Sequence, residues 1–131
     1  MVDAERRRPR RYWRDYRTAA GGRPVKAFMD DLTDEEAASV VAGMKEVVER
    51  GLAAARHLRG DVYEVRADAA TRSFRVLFST EGRYSHVLLS LSAFAKRTQR
   101  APPREIELAE TRLADWRTRG VAKKGHAARR R

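Results

Sequence analysis

Three β-type segments follow one another between Asp61 and Phe94, and they commit the chain to a sheet before anything else is decided. "DVYEVRA" alternates, with Val62, Glu64 and Arg66 on one face and Tyr63 and Val65 on the other. "RSFRVLFST" is rich in aromatic and β-branched residues and sets Arg75 among Phe74, Val76, Leu77 and Phe78. "YSHVLLSLSAF" is the longest and most apolar, the pattern of a central strand. Residues 62–94 are therefore expected to form three antiparallel strands of one sheet.

Helical signals stand on both sides. Pro24 suits a first helical position, and Val25, Phe28, Met29 and Leu32 recur at the spacing of one helical face. Thr33-Asp34-Glu35-Glu36 reads as a capping box, followed by a stripe of Val40, Val41, Met44, Val47 and Val48 and a stop at Gly51. That helix is expected on one face of the sheet. Pro102 and Pro103 open a last helix with Ile106, Ala109, Leu113 and Trp116 inward and Gly120 as its end. Residues 10–17 form a further short strand anchored by Tyr12, Trp13 and Tyr16. The order predicts an α+β fold, a small antiparallel β-sheet packed against two N-terminal helices, with a C-terminal helix. At 131 residues the chain is long enough for one domain. Its expected parts are a disordered basic arm (1–10), a folded domain (11–119) and a disordered basic tail (120–131), since the ends have few apolar side chains to bury.

Charge narrows the function classes. The net charge is +11, but much of it lies at the ends. Residues 1–11 hold five arginines against two acids, and residues 120–131 hold five cations, Lys123 and Lys124 among them, and no acid. Within the body, residues 56–104 hold ten cations and four acids. A basic region on a balanced body marks a nucleic-acid partner better than basic ends do. No apolar run reaches membrane-span length, and the first eight residues lack the apolar stretch of a signal peptide. The protein is expected in the cytoplasm, with no membrane association. The absence of cysteine excludes disulfides and thiol chemistry.

Four cations are candidates for one surface: Arg66 and Arg75 inside strands, and Lys96 and Arg97 where the third strand ends. Arginine binds phosphate bidentately and lysine adds a compact charge. Such a set stabilises a phosphoryl transition state without a metal or other cofactor. RNA supplies its own nucleophile in the 2′-hydroxyl. Asp61, Glu64 and Asp68 are spread along a strand and turn rather than clustered for a metal, and His57, His86 and His126 lie far apart. The structural alternatives stay open at this point. Arg66 and Glu64 also fit an ion pair, Arg75 a snorkelling edge residue, Lys96-Arg97 a solvated turn, and His86 a packed histidine. Arg72, Arg100, Lys123 and Lys124 complete the cations expected to contact RNA.

"GGRPVKAFMDDL", "VYEVR", "FRVLF" and "LLSLSAFAKRTQRAPPREIELAETRLADW", in that order, resemble the RelE/ParE toxin superfamily, in particular its HigB-like, phage-derived branch. The resemblance covers about residues 11–119. It implies a RelE-like fold and the toxin of a type II toxin–antitoxin system, a ribosome-dependent mRNA endoribonuclease held in check by a cognate helix-turn-helix antitoxin. It implies that Arg66 and Arg75 contact the scissile phosphate, that Lys96 transfers a proton or stabilises charge, and that Arg97 clamps the backbone. The chain departs from many relatives in carrying Arg97 for a second lysine, and Ser90 and Ser92 in a strand where a histidine often stands. Arg97 holds its proton too firmly for a general base. A non-enzymatic gyrase inhibitor of the ParE kind and a non-catalytic basic RNA-binding protein are the alternatives.

Overall fold

The three predicted strands pair as expected, and two more join them at the edges. The structure, a computed structural model, describes residues 9–97 and 100–129, with side chains as far as Gly120. β3 (Val62–Asp68), β4 (Ser73–Glu81) and β5 (Val87–Ala95) form an antiparallel set. β1 (Tyr12–Asp15) lies parallel to β5, and β2 (Arg56–Arg59) antiparallel to β3. The sheet is therefore mixed and five-stranded, in the order β1-β5-β4-β3-β2. The expectation of an all-antiparallel sheet is corrected at β1, which lies far enough back in sequence for the return that a parallel pair requires. The central strand is β4 rather than β5, because strands are added on both sides of the predicted three. β2 was not expected. It presents Arg56, His57 and Arg59 to solvent, the composition of a loop and equally of a charged edge strand. His57 accordingly sits on this strand, with a ring nitrogen 2.8 Å from the Gly60 carbonyl.

Three helices cover the sheet. α1 (Pro24–Asp30) and α2 (Asp34–Arg50) lie on one face, and α3 (Pro103–Arg129) on the other. Val40 and Val47 of α2 pack with Val65, Phe74, Val76 and Phe78, while Ala109 and Leu113 of α3 pack with Val62, Leu77, Leu89 and Leu91. Val41, expected in the apolar stripe of α2, is 54% exposed. The capping box forms as read: Thr33 Oγ1 accepts from the Glu36 amide at 3.2 Å, and Glu36 Oε1 from the Thr33 amide at 3.1 Å.

α3 does not stop at Gly120 but continues to Arg129. A glycine ends a helix when it takes positive φ, and Gly120 is not among the glycines that do. In mid-helix it costs only about 1 kcal/mol relative to alanine. The Ala, Lys and Arg residues that follow are good helix formers. Residues 1–8 of the expected arm lie outside the described residues.

Candidate nucleic-acid interface

Alternation decides which side chains share a face. Val62, Glu64 and Arg66 of β3 point to the same side as Arg75 and Leu77 of β4, the side that α3 covers. The helix covers the apolar end, Val62 and Leu77. The register then places Arg66 opposite Arg75 on one side and Phe94 opposite Arg75 on the other. Arg56 of β2 lies opposite Glu64. The other end of this face thus collects Arg56, Arg66 and Arg75 around one carboxylate.

That carboxylate is buried. Glu64 is 3% exposed, and its Oε1 lies 3.7 Å from Arg66 Nε and 3.6 Å from Arg75 Nε. Arg66 is therefore in the ion pair with Glu64, and half of its side chain still faces solvent. Arg75 differs from expectation. It sits on the central strand and is 4% exposed, so it is neither a snorkelling edge residue nor part of an open surface. Its Nη1 donates to the Phe74 carbonyl at 2.8 Å. Burial pulls its pKa below the usual guanidinium value, and Glu64 opposes that shift. The group stays charged, because arginine begins so far above neutrality.

Lys96 leaves β5 beside this cluster. Its amide donates to the Ser73 carbonyl at 2.8 Å, two residues before Arg75 on the neighbouring strand. Lys96 is half-buried and Arg97 exposed. Among the described residues, neither side chain is in a hydrogen bond or ion pair. The interruption of the β4–β5 register between Leu77 and Phe78 fixes the approach to this strand end. It leaves Leu91 without a register partner, and Arg112 Nη1 of α3 donates to the Leu91 carbonyl at 2.7 Å. Ser92 Oγ bonds Glu105 Oε2 at 3.0 Å, so the first turn of α3 is pinned next to Phe94. Ser90 is buried and within 3.3 Å of the Arg14 carbonyl, a packing position.

The remaining sequence candidates separate. Arg72 is drawn away from the cluster: its Nε donates to Glu36 Oε2 at 2.8 Å, and its guanidinium stacks 5.2 Å from the Phe74 ring centre. Arg100 is exposed beyond the strand end. Lys123 and Lys124 belong to the last stretch of α3, and their side chains lie outside the described residues. His86 precedes β5 rather than lying in it, beside the rings of Tyr12 and Tyr84. Arg56 was not picked out as a site residue, because β2 was not recognised as a strand. Its spacing from Glu64 across a short turn is the one signal that pointed there. Among the described residues, no group of three or more His, Asp or Glu side chains gathers as metal ligands.

Comparison with known proteins gives the same family as the sequence motifs. Residues 27–114 match the family described as "Phage derived protein Gp49-like (DUF891)". The chain is 35% identical over 108 residues to "Probable endoribonuclease HigB1" of Mycobacterium tuberculosis strain CDC 1551 / Oshkosh, covering 80% of this chain and 84% of the relative. The same protein from strain ATCC 25618 / H37Rv matches to the same extent. The matched span contains Arg56, Glu64, Arg66, Arg75, Lys96 and Arg97. This chain is thus a member of the Gp49-like, phage-derived family, in the HigB-like branch of the RelE superfamily.

Proposed function

We propose that this protein is the endoribonuclease toxin of a type II toxin–antitoxin pair, acting on mRNA at the ribosome. The observation that carries the proposal is the buried Glu64 carboxylate shared by two guanidinium groups, one sealed in the sheet and one turned to solvent. Such an arrangement holds Arg66 ready for an anion, and a preorganised donor stabilises charge that develops in a transition state. In the reaction, the 2′-hydroxyl of the substrate attacks the adjacent phosphorus. The 2′-O–P bond forms, the P–O5′ bond breaks, and the products are a 2′,3′-cyclic phosphate and a 5′-hydroxyl. The 2′-hydroxyl loses its proton to solvent water and O5′ gains one, so protons balance over the step. Arg66 takes the non-bridging oxygens, and Arg75 supplies charge from behind and fixes Glu64. Lys96 at the strand exit gives charge or a proton to the leaving oxygen, and Arg97 clamps the backbone. Arg56 adds to the same field.

The relatives named as endoribonucleases support this reading. A toxin of this kind works in the cytoplasm beside an antitoxin encoded next to it, here expected to carry a helix-turn-helix. No helix among the described residues is long and apolar enough to cross a membrane.

The test is cleavage of an mRNA on intact ribosomes in magnesium buffer, and of the same mRNA without ribosomes, by wild type and Arg66→Ala. Wild type is expected to cleave on the ribosome, and the variant about 10²–10³ more slowly, with a melting temperature lowered by at most a few degrees. Equal cleavage by both proteins rejects the assignment of Arg66. Growth arrest by wild type with intact transcripts rejects the nuclease in favour of a gyrase-binding toxin.

A further inference from the structure

We infer that a second nucleotide-binding cleft lies along the free edge of β1, on the far flank of α3 from Arg66, and holds a base and phosphate of single-stranded RNA outside the cleaved linkage. This rests on the reading of RNA as substrate. The cleft has a volume of about 490 Å³, within the roughly 300–1,000 Å³ of small-molecule sites. Four arginines line it, Arg14, Arg17, Arg23 and Arg119, together with the only two tryptophans of the chain, Trp13 and Trp116.

The chemistry sorts these residues into two groups. Arg23 is paired with Asp15 at 2.5 Å and Arg119 with Asp115 at 2.8 Å, so the two carboxylates are already engaged. Among the described residues, Arg14 and Arg17 have no ion-pair partner. Arg14 instead lies 4.9 Å from the centre of the Trp116 ring, a guanidinium stacked on an indole. Trp13 borders the cleft from the other face of β1, where its ring packs edge-on to Phe78 at 5.1 Å and its Nε1 donates to the Met44 carbonyl at 2.8 Å, so the stacking plane is that of Arg14 on Trp116. Aromatic planes beside uncompensated guanidinium groups are the elements of a single-strand binding platform, where bases stack and phosphates pair. An acidic peptide would use the arginines but not the Arg14–Trp116 stack. From strand spacing and rise the cleft is roughly 20 Å from Arg75, a span that a few nucleotides cross.

Because both tryptophans line the cleft, the intrinsic fluorescence of the full chain reports its occupancy directly. The probe is a short single-stranded oligoribonucleotide with 2′-O-methyl sugars, which binds but cannot be cleaved. The expected result is saturable quenching that weakens with salt. Arg14→Ala combined with Arg17→Ala is expected to reduce affinity at least about tenfold, through loss of a stacked plane and a phosphate contact. Arg17→Glu, an exposed charge reversal, is expected to do so independently, and melting curves confirm that each variant is folded. Arg50→Ala, a surface cation on α2 paired with Glu46 and outside both cationic sites, is expected to keep the quenching. No quenching, or the same quenching in the double variant, overturns the inference. Equal displacement of the oligonucleotide by poly-glutamate also overturns it, since the cleft then serves an acidic protein segment. Quenching with no cleavage of any RNA upholds the cleft and removes the nuclease reading instead.

Discussion

Glu64 decides how single substitutions in the cationic face behave. It is a buried acid with two arginine partners, so the two arginines are not equivalent to mutate. Arg66 is half exposed, and its pair with Glu64 at 3.7 Å is long and reachable by water. Losing it is expected to cost at most about 1 kcal/mol of stability. Arg75 is sealed in with Glu64, and removing it leaves a buried charge with only its weaker partner. Arg75→Ala is therefore expected to lower the unfolding free energy by about 3–5 kcal/mol, measured by urea denaturation. A stability loss below about 1 kcal/mol would mean that water or Arg66 compensates Glu64 fully. Inactivity of Arg75→Ala consequently does not by itself establish a chemical role, whereas inactivity of a stable Arg66→Ala does. Glu64→Gln probes the same point from the other side. It keeps the shape and releases both guanidinium groups, so the expected outcome is a fall in kcat with KM for RNA unchanged or lower, because the face becomes more positive. An unchanged kcat would show that Arg66 is positioned without Glu64.

Elements meet through a few polar ties whose strength depends on pH. Glu36 joins three of them: it caps α2, and it accepts from Thr71 Oγ1 at 2.9 Å and Arg72 Nε at 2.8 Å in the turn between β3 and β4. The Arg72 hydrogen bond, followed by the Thr33 amide, lowers its pKa from 4.5 to about 2. A lowered folded-state pKa means stability that is fully present above pH 4.5 and lost as pH falls toward 2. Wild type is thus expected to lose more melting temperature between those pH values than Glu36→Gln, which has no proton to take up. Parallel curves would show that the tie is weak in solution. The approach of α2 to β3 sets a second limit. A Cβ on Gly43 would meet the Arg66 carbonyl and Val65 Cγ1, each at 3.1 Å. Gly43→Val is expected to destabilise by about 1–3 kcal/mol through overpacking and to shift β3 at Arg66, lowering cleavage beyond the stability loss. Undiminished stability would mean that the helix moves away freely. The same elements show what was legible in the sequence. α2 was readable because its cap and stripe are local. β2 was not, because four residues with one apolar side chain look alike in a loop and an edge strand. The parallel pairing of β1 with β5 was not readable either, since apolar anchors show that a strand is buried but not beside which partner or in which direction. For the site, alternation put Arg66 and Glu64 on one face, and Arg75 stood as a candidate for the same surface. Alternation gives the face and not the depth, so Arg75's burial by its neighbours was invisible.

At the scale of the whole molecule, the excess charge of the chain and the folded body are separable quantities. Within the body, cations gather around Glu64 and on the flank of β1, while the last eleven residues carry Lys123, Lys124, Arg129, Arg130 and Arg131 without an acid. α3 runs past Gly120 as far as Arg129, beyond Ala109 and Leu113, whose apolar contacts tie the helix to the sheet. Removing residues 121–131 should then leave the core intact and change only long-range attraction. Binding to single-stranded RNA weakens with salt by roughly 0.7 in the log–log slope for each phosphate contact neutralised. The truncated protein is expected to melt at the same temperature, to bind RNA or ribosomes more weakly at low salt, and to show a shallower slope, by roughly 0.7 for each lost cation that touches a phosphate. Its cleavage rate at saturating RNA should be unchanged, because the segment contains none of Arg66, Arg75 or Lys96. Measuring affinity across a salt series for both proteins separates the possibilities. An unchanged slope means that the segment makes no phosphate contact and that the steering charge lies in the body. A fall in the saturated rate means that the end of α3 reaches the reacting linkage.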